Sequence, residues 1–295
     1  MTLGTFPPAV LCIGNICVDE SVHLDGTRTL APGGDAVYAA LGALLSSARV
    51  SMLAPLGNDL PEDVLQELDQ VGLDPTALPR RQLPTLRHVI THRPDGGRDW
   101  SSNASDDEFD TLSVQPSDLT EALLAVEAVV VTAMGLQAQC AIGPWLRDHT
   151  RATRYLDLRE DYLDARAELL DLVATADVFM PSEIEATVLA GTTDLEAAAA
   201  TFAHLGPHTV VIKCGAHGCL VHTGDNLVAV PAAAATVVDT TGAGDAFCGA
   251  FAAEHVRSGD AVAAARAATR VAAVAVSGLG TAGLLDELSR RRVPA

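Results

Sequence analysis

The stretch Val238–Phe247, with the sequence VDTTGAGDAF, decides how the rest of this 295-residue chain is interpreted. A polar half rich in hydroxyl groups leads into Gly-Ala-Gly, and a long apolar helix pattern follows. Gly242 and Gly244 let the backbone approach a bound group closely. The first N–H groups of a helix have no partner within it, and the helix dipole is positive at that end. The stretch therefore predicts an anion-binding site.

Asp245 is the unexpected member of this stretch. A carboxylate inside an anion cradle would repel a phosphate, unless it faces a second reactant and accepts its proton. Backbone amides for the developing charge and one base for the attacking hydroxyl are what phosphoryl transfer requires. The helix N-terminus should favour the charged form of Asp245 and so keep it a weak base. The sequence predicts that Asp245 is the catalytic base of such a reaction.

The composition limits the possible partners. A formal net charge of −19 argues against nucleic acid and anionic membranes, because both attract basic surfaces. The six cysteines include no Cys-x-x-Cys pair and no secretory signal pattern precedes them, so a cytoplasmic protein with reduced cysteines is the simplest interpretation. The nine histidines form no local His/Cys cluster, so no zinc site is expected. No uncharged apolar run reaches the length of a membrane span.

Short apolar runs alternate with amphipathic segments along the chain. The predicted strands are Ala9–Ile13, Arg49–Ala54, Ala128–Met134, Arg154–Leu158, Asp177–Met180, Thr209–Lys213, Gly218–His222 and Asn226–Val230. The predicted helices are Ala36–Leu45, Pro61–Val71, Ser117–Val126, Gly143–His149, Ala165–Thr175, Ser182–Ala190, Leu195–Leu205, the segment after Gly244, and Asp260–Ser277. This alternation predicts a doubly wound α/β fold, with a mostly parallel sheet and helices on both faces.

Two segments, at about 20–33 and 84–111, interrupt this alternation. The first contains the turn signal Asp25-Gly26, and the second contains the turn signal Pro94–Gly97. Each segment is predicted to form a β-hairpin, and Asp106–Glu108 is predicted to be a solvated loop. We expect the two hairpins to pair into a small antiparallel sheet that covers the site as a lid.

The segment Asp239–Phe247 resembles the C-terminal signature of the ribokinase-like (PfkB) carbohydrate kinases, and the resemblance extends from about Ala9 to Leu285. It implies one ribokinase-like kinase domain over residues 1–295. It also implies a Mg²⁺- and ATP-dependent enzyme that phosphorylates a hydroxyl of a sugar or related polyol. In this interpretation Asp245 is the base, and the anion hole consists of Gly242, Ala243 and Gly244.

The resemblance also implies the residues that bind the phosphate acceptor. Asp19 matches an aspartate that binds substrate hydroxyls, as a carboxylate can do by accepting two hydrogen bonds. Gly33 and Gly34 resemble the N-terminal Gly-Gly motif, but Tyr38 stands where the family usually has Asn, which affects the expected sugar contact. Asp157 and Arg159 resemble an Asp-x-Asn-x-Arg pattern of some sugar-acid and fructose kinases, with Leu158 in place of the Asn. Arg159 could reach an anionic substrate or a phosphate, and a surface salt bridge fits it equally well.

On the nucleotide side, Ser182 to Glu185 resembles an Asn-x-x-Glu motif whose Glu acts through water on the Mg²⁺ of the nucleotide, with Ser in place of Asn. The same spacing is a helix capping box, and both interpretations can hold. Lys213 is not a Walker lysine, because no Walker motif is present. The residues that the resemblance places near the nucleotide are Ser182, Lys213, Gly215, Gly218, Thr240, Gly242 and Gly244.

A second glycine-rich stretch, Gly278–Gly283, spells the dinucleotide fingerprint but follows a helix rather than a strand. The alternative that the protein is a dinucleotide-dependent oxidoreductase is based on this stretch alone. An alternative role for this loop, which lies near Asp239 and Thr241, is to help hold K⁺, as in some relatives of the resembled family.

Three further expectations follow from the resemblance. A nucleoside kinase of the same fold is the nearest alternative, since Tyr38 and Trp100 near the lid could stack on a base or simply pack. A ligand-binding protein without catalytic activity is the alternative from another class, which Tyr38 and Ser182 favour and Asp245 opposes. Pairing of exposed lid edges predicts a homodimer formed lid to lid.

Overall fold

The structure is a computed structural model that describes residues 7–22, 24–93, 98–224 and 226–292. The strands in this part of the chain are β1 (Ala9–Ile13), β2 (Cys17–Val22), β3 (Arg28–Gly33), β4 (Arg49–Leu53), β5 (Leu86–His92), β6 (Arg98–Ser102), β7 (Ala128–Val131), β8 (Thr153–Leu156), β9 (Val178–Phe179), β10 (Thr209–Lys213), β11 (Cys219–Thr223) and β12 (Asn226–Val230).

Ten α-helices lie in the same described residues. They are α1 (Asp35–Leu45), α2 (Glu62–Gln70), α3 (Asp106–Thr111), α4 (Leu136–His149), α5 (Arg166–Val173), α6 (Glu183–Ala190), α7 (Leu195–Leu205), α8 (Ala243–Ser258), α9 (Ala261–Ala275) and α10 (Ala282–Arg292). Within the described ranges, no helix is both long and apolar enough to span a membrane.

The main sheet has eight strands in the order β12-β11-β10-β9-β8-β7-β1-β4. Every pair from β4 to β10 is parallel, and only β11 and β12 join as an antiparallel edge. Alternate residues of β1 enter two different apolar layers, Val10 and Cys12 on one face and Leu11 and Ile13 on the other. The predicted parallel sheet with helices on both faces is therefore confirmed.

A second sheet has the order β3-β2-β5-β6. Each predicted hairpin is antiparallel, β2 with β3 and β5 with β6, but the two hairpins meet through the parallel pair β2 and β5. This pairing places Cys17 opposite Leu86 and Asp19 opposite His88. The predicted turn Pro94–Gly97 lies outside the described residues, as does the side chain of Trp100.

The prediction of a solvated loop at Asp106–Glu108 was right about solvent exposure and wrong about the loop. These residues begin α3, where Ser105 and Glu108 form a capping box: the Glu108 carboxylate accepts from Ser105 N–H at 2.9 Å. The helix is held in place because Phe109 and Leu112 are buried in a small apolar cluster with Leu86 and Cys17. The three acidic residues occupy the exposed first turn, where the helix dipole favours negative charge.

Two helix predictions between the hairpins and β8 were also inaccurate. Ser117–Val126 contains only a short 3₁₀ turn, Pro116–Asp118, in which Asp118 pairs with Arg81 at 2.5 Å. The helix predicted to begin at Gly143 begins at Leu136 instead, and Pro144 lies inside it. The Asp110 carboxylate accepts from Ala138 N–H in its first turn, at 3.0 Å, so a residue from α3 stabilises that N-terminus.

Candidate active site

The loop before α8 is held by Asp239, whose side chain is buried. One carboxylate oxygen accepts from Thr241 N–H at 3.0 Å and from the Thr241 hydroxyl at 2.8 Å. The other accepts from Gly280 N–H at 3.0 Å, which ties the second glycine-rich stretch to the first. Both oxygens accept hydrogen bonds from the protein, so Asp239 braces this loop against the second glycine-rich stretch, and a role of that stretch in holding K⁺ stays a prediction.

Gly242 is the N-cap of α8 and has φ of 67°, in the left-handed region. A Cβ at this position would lie 2.2 Å from the ring of Tyr38, which is itself 2% exposed. Tyr38 therefore packs beneath the anion-binding loop, and its hydroxyl has no hydrogen-bond partner among the described residues. The structure places it behind the loop, and a direct sugar contact by Tyr38 stays a prediction.

Asp245 lies in the first turn of α8, next to the side chains of Asp35, Asp157 and Lys213. The Asp245 side chain is half-buried, and its desolvation, reinforced by the negative charges of Asp35 and Asp157, raises its pKa well above its usual range, while Lys213 opposes the rise. The expectation that the helix N-terminus dominates was wrong, because desolvation and two like charges outweigh the dipole. Asp245 is thus a stronger base than an ordinary aspartate.

Two residues of this cluster were missed as functional candidates. Asp35 follows the Gly-Gly motif at the start of α1, and burial raises its pKa from 3.8 to about 6, with His88 and Arg159 opposing the rise. Cys248, one turn after Asp245, donates to the Asp157 carboxylate at 3.3 Å. The position of Asp35 directly after Gly33-Gly34 was the available sequence signal.

Lys213 forms an ion pair with Asp157 at the end of β10. Its Nζ lies 3.5 Å from the position that a Cβ on Gly244 would take, so the ammonium group sits beneath the anion-binding loop. The charges of Asp157, Glu185 and Asp245 all favour its protonated form. The structure thus brings Lys213 to the predicted site, between Asp157 and the N-terminus of α8.

The capping box at the start of α6 is present. Ser182 Oγ accepts from Glu185 N–H at 3.2 Å, and Glu185 accepts from Ser182 N–H at 2.7 Å. Glu185 is only 5% exposed, and burial together with the charge of Asp157 raises its pKa from 4.5 to about 7, against the effect of Lys213. A buried pair of neighbouring carboxylates suits a divalent cation, so these residues fit Mg²⁺.

On the acceptor side, Asp19 is 3% exposed and lies against the Gly-Gly motif. A Cβ at Gly33 would come within 2.3 Å of Asp19 Oδ2. Gly34 has φ of 101°, and a Cβ there would meet the Asn15 carbonyl oxygen at 2.4 Å. Both glycines are therefore required for the close approach of the loop before α1 to the second sheet.

Arg159 lies at the edge of the site rather than in its centre. Its guanidinium group pairs with Asp161 at 2.5 Å and lies over the ring of Phe109, 4.3 Å from the centroid. The predicted surface salt bridge is therefore present. Its charge also lowers the pKa of Asp35, so Arg159 faces the same cluster of carboxylates.

The remaining predicted nucleotide-side residues lie on turns. Gly218 has φ of 93°, and a Cβ there would lie 2.0 Å from the Val230 carbonyl oxygen. Gly215 and Thr240 are exposed, on the turn after β10 and on the loop before α8 respectively. Gly215 and Gly218 thus shape the tight connection between β10 and β11.

The chain is similar to known kinases over most of its length. A family model described as pfkB family carbohydrate kinase matches residues 10–288. A cytidine kinase from Thermococcus kodakarensis is 28% identical over 84% of this chain and 88% of its own length.

Solved structures share the fold. A nucleoside kinase from Burkholderia thailandensis in complex with inosine has a TM-score of 0.77 at 20% identity, over 96% of this chain and 97% of that one. A fructokinase from Vibrio cholerae with fructose, ADP and calcium ion bound has a TM-score of 0.79 at 23% identity, over 97% of this chain and 99% of the other.

Proposed function

This chain belongs to the pfkB family of carbohydrate kinases, and we propose that it transfers the γ-phosphate of ATP to a hydroxyl group of a sugar or related polyol. As a member of that family it is a phosphotransferase that acts on a sugar or nucleoside hydroxyl. The observation that carries the more specific proposal is the position of Asp245 in the first turn of α8, directly after Gly242, Ala243 and Gly244. Desolvation and the neighbouring Asp35 and Asp157 raise its pKa there, which suits a base.

Asp245 acts as the general base in this proposal. The acceptor hydroxyl must lose its proton as it attacks the γ-phosphorus, and a base with a raised pKa accepts that proton more readily than an ordinary carboxylate. The first turn of α8, with Gly242, Ala243 and Gly244, supplies backbone N–H groups for the charge that develops on the transferred phosphoryl group. Base and anion hole therefore come from one helix terminus.

Kinases of this family use ATP, typically with Mg²⁺. When bound, Mg²⁺ shields the phosphate charges. Glu185 and Asp157 are the residues that would hold the cation, directly or through water. Ser182, Gly215, Gly218 and Thr240 form the proposed nucleotide side.

Asp19, Gly33, Gly34 and Arg159 line the proposed acceptor side, and Asp35 joins them. Two carboxylates, the buried Asp19 and the half-buried Asp35, can each accept hydrogen bonds from vicinal hydroxyl groups. The second sheet carries Asp19, so it is well placed to cover a bound acceptor and to exclude water, which would otherwise hydrolyse ATP.

A nucleoside is the second candidate acceptor. The observation in its favour is the similarity to a cytidine kinase over most of both chains. A nucleoside presents the same ribose hydroxyls to the base, so the chemistry at Asp245 would be unchanged. The two candidates differ only in what the acceptor pocket holds beyond the sugar ring.

The decisive experiment is an ADP-release screen with Mg-ATP over ribose, deoxyribose, fructose, 2-keto-3-deoxygluconate, cytidine, adenosine and inosine. The wild type is compared with Asp245→Asn and with the control Asp260→Asn, which alters another helix-terminal aspartate outside the site. We expect one class of acceptor to turn over, with kcat lower by about 10²–10⁴-fold in Asp245→Asn and unchanged in the control.

Turnover that survives in Asp245→Asn would contradict the assignment of the base. If no acceptor turns over, calorimetry with ATP separates the remaining possibilities. Micromolar binding of ATP without turnover would favour a ligand-binding protein on a kinase scaffold, whereas no binding would remove the nucleotide site itself.

We also propose that the protein is a homodimer that pairs through its second sheet. Leu24 and Leu30 of the hairpin formed by β2 and β3 are 66% and 51% exposed, and β3 is the outer strand of the second sheet in the described part of the chain. Exposed apolar residues on or beside an outer strand favour association. Light scattering at micromolar concentration should give twice the monomer mass for the wild type. The Leu30→Asp variant should give a lower mass, because it weakens the dimer. A monomeric wild type would contradict the proposal.

A further inference from the structure

The second sheet brings together three side chains of different metal-binding chemistry: the Cys17 thiol, the Asp19 carboxylate and the His88 imidazole. Cys17 and Asp19 are two residues apart on β2, so their side chains point to the same face. His88 is the register partner of Asp19 on the neighbouring strand β5. Strand geometry therefore places the three groups on one face, although His88 is distant in the sequence.

The distances among the three candidate ligand atoms are close to those of a metal site. Cys17 Sγ lies 3.1 Å from Asp19 Oδ1 and 3.5 Å from His88 Nδ1, and His88 Nδ1 lies 3.4 Å from Asp19 Oδ1. Tetrahedral Zn²⁺, with bonds of about 2.3 Å to sulfur and about 2.0–2.1 Å to nitrogen and oxygen, separates such ligands by about 3.3–3.6 Å. Both distances to His88 lie in this range, whereas the thiol and the carboxylate are at hydrogen-bond distance and must move slightly apart to form one face of the tetrahedron.

We propose that Cys17, Asp19 and His88 bind a zinc-like divalent cation, with Sγ, Oδ1 and Nδ1 as ligands. A thiolate and a carboxylate together neutralise its double charge, and sulfur and imidazole ligands select this class of cation over Mg²⁺. Binding replaces the proton of the Cys17 thiol, which passes to solvent. The Mg²⁺ proposed at Glu185 is a separate ion with oxygen ligands.

The candidate ligands lie in packed surroundings. Cys17 is buried against Leu86, Phe109 and Leu112, and the Oδ2 atom of the buried Asp19 lies against Gly33. The His88 side chain is 25% exposed, so a cation can enter from its side. With three ligands on two hydrogen-bonded strands, little reorganisation is needed to bind the ion.

The cation would regulate the enzyme by occupying the acceptor side. Asp19 cannot hold an acceptor hydroxyl and serve as a metal ligand through the same oxygen, so the cation should compete with the acceptor. This consequence rests on the proposed function, whereas binding of the cation does not. Zn²⁺ should raise the KM for the acceptor more than it lowers kcat.

Binding is tested with Co²⁺ as the probe, on full-length protein freed of metal with a chelator that is then removed. We expect one Co²⁺ per chain, tetrahedral visible absorption bands, a thiolate-to-cobalt charge-transfer band, and displacement by equimolar Zn²⁺. Cys17→Ser should abolish the charge-transfer band, and His88→Gln should weaken binding by more than about 100-fold, since even outer-shell changes cost 10–100-fold.

Cys140→Ser is the matched control, because Cys140 is a half-buried cysteine outside the cluster. It should bind Co²⁺ as the wild type does. If Cys17→Ser does not fold, the partly exposed His88→Gln still decides the matter, with thermal unfolding in chelator as the check on folding. Absence of a stoichiometric Co²⁺ site in the wild type, or a charge-transfer band that survives in Cys17→Ser, would overturn the proposal whether or not the enzyme phosphorylates any acceptor.

Discussion

Lys213 is the one lysine in the sequence, and it lies among the carboxylates of Asp157, Glu185 and Asp245. Its ion pair with Asp157 keeps the ammonium group beneath Gly244. Desolvation and the charges of Asp35 and Asp157 raise the pKa of Asp245, and the charge of Lys213 lowers it. The protonation state of Asp245 is therefore a balance that single substitutions should shift in either direction.

The pH profile of kcat/KM provides the test of that balance. A general base must be deprotonated, so activity rises with pH through the pKa of Asp245. Asp35→Asn removes a like charge and should move this acid limb to lower pH, whereas Lys213→Met removes an opposite charge and should move it to higher pH. The measurement is kcat/KM between pH 5 and 9 with the acceptor found in the screen.

Lys213→Arg and Asp148→Asn are the controls for these shifts. Arginine retains the charge and should restore most of the wild-type profile, and Asp148 is an exposed residue of α4 remote from the cluster. Shifts of the same sign in Asp35→Asn and Lys213→Met would contradict the electrostatic explanation.

The helices α1 and α8 carry the two sides of the site, and glycines let them pack closely. A Cβ on Gly249 of α8 would lie 1.8 Å from the Ala39 carbonyl oxygen, and one on Gly42 of α1 would lie 2.2 Å from the Ala246 carbonyl oxygen. In both cases the obstacle is backbone, which cannot move without separating the helices. The separation of Asp35 and Asp245 thus depends on two glycines that bear no functional group.

Gly249→Ala should therefore destabilise the protein and also impair catalysis. Overpacking typically costs about 1–3 kcal/mol, and the backbone contact places this site at the upper end. The matched control is Gly143→Ala inside α4, where the new methyl group would meet the Leu172 and Thr175 side chains rather than backbone, so that a smaller shift relieves the contact. Urea unfolding should show a clearly larger loss for Gly249→Ala; equal losses would contradict the explanation.

The elements that could be predicted from the sequence are those whose signal is local. Strand β1 and helix α7 have the predicted bounds, because an apolar run and an amphipathic repeat each mark a whole element. Helix α3 was missed because its stability comes from Phe109 packing against the second sheet, a contact between distant segments. Residues 117–126 have helix-forming composition, but the ion pair of Asp118 with Arg81 holds the chain in a turn.

At the scale of the whole molecule, the site is assembled from the ends of separate strands and the N-termini of three helices, α1, α6 and α8. The glycine loop and Asp245 could be predicted because their signature is contiguous. The neighbours that set the pKa of Asp245 could not, because Asp35, Asp157 and Lys213 meet only through the order of strands in the main sheet. A zinc site was not expected from the sequence for the same reason. Cys17, Asp19 and His88 form no local cluster in the sequence, and they meet only where β2 pairs with β5.

Crowded carboxylates should also make the stability of the whole molecule depend on pH. The pKa of Glu185 is about 7 in the folded protein against 4.5 for an ordinary Glu, so the folded state binds an extra proton between these values. Stability then falls as pH rises through this window, and the full penalty, about 1–3 kcal/mol, is present above pH 7. Glu108 is the opposite case, because its capping hydrogen bonds lower its pKa and stabilise the charged form.

The two capping boxes allow a matched comparison in metal-free protein. Glutamine also serves in a capping box, so Glu185→Gln keeps the cap and removes the buried charge. It should increase the free energy of unfolding at pH 8 by about 1–3 kcal/mol, with the gain vanishing below about pH 4.5. Glu108→Gln, in the exposed box, should give no gain at pH 8. Urea unfolding from pH 4.5 to 8 with a chelator present measures both. A Glu185→Gln variant that is no more stable than wild type at pH 8 would show that Glu185 is not held at a cost to folding, and would weaken its assignment as a cation-binding carboxylate.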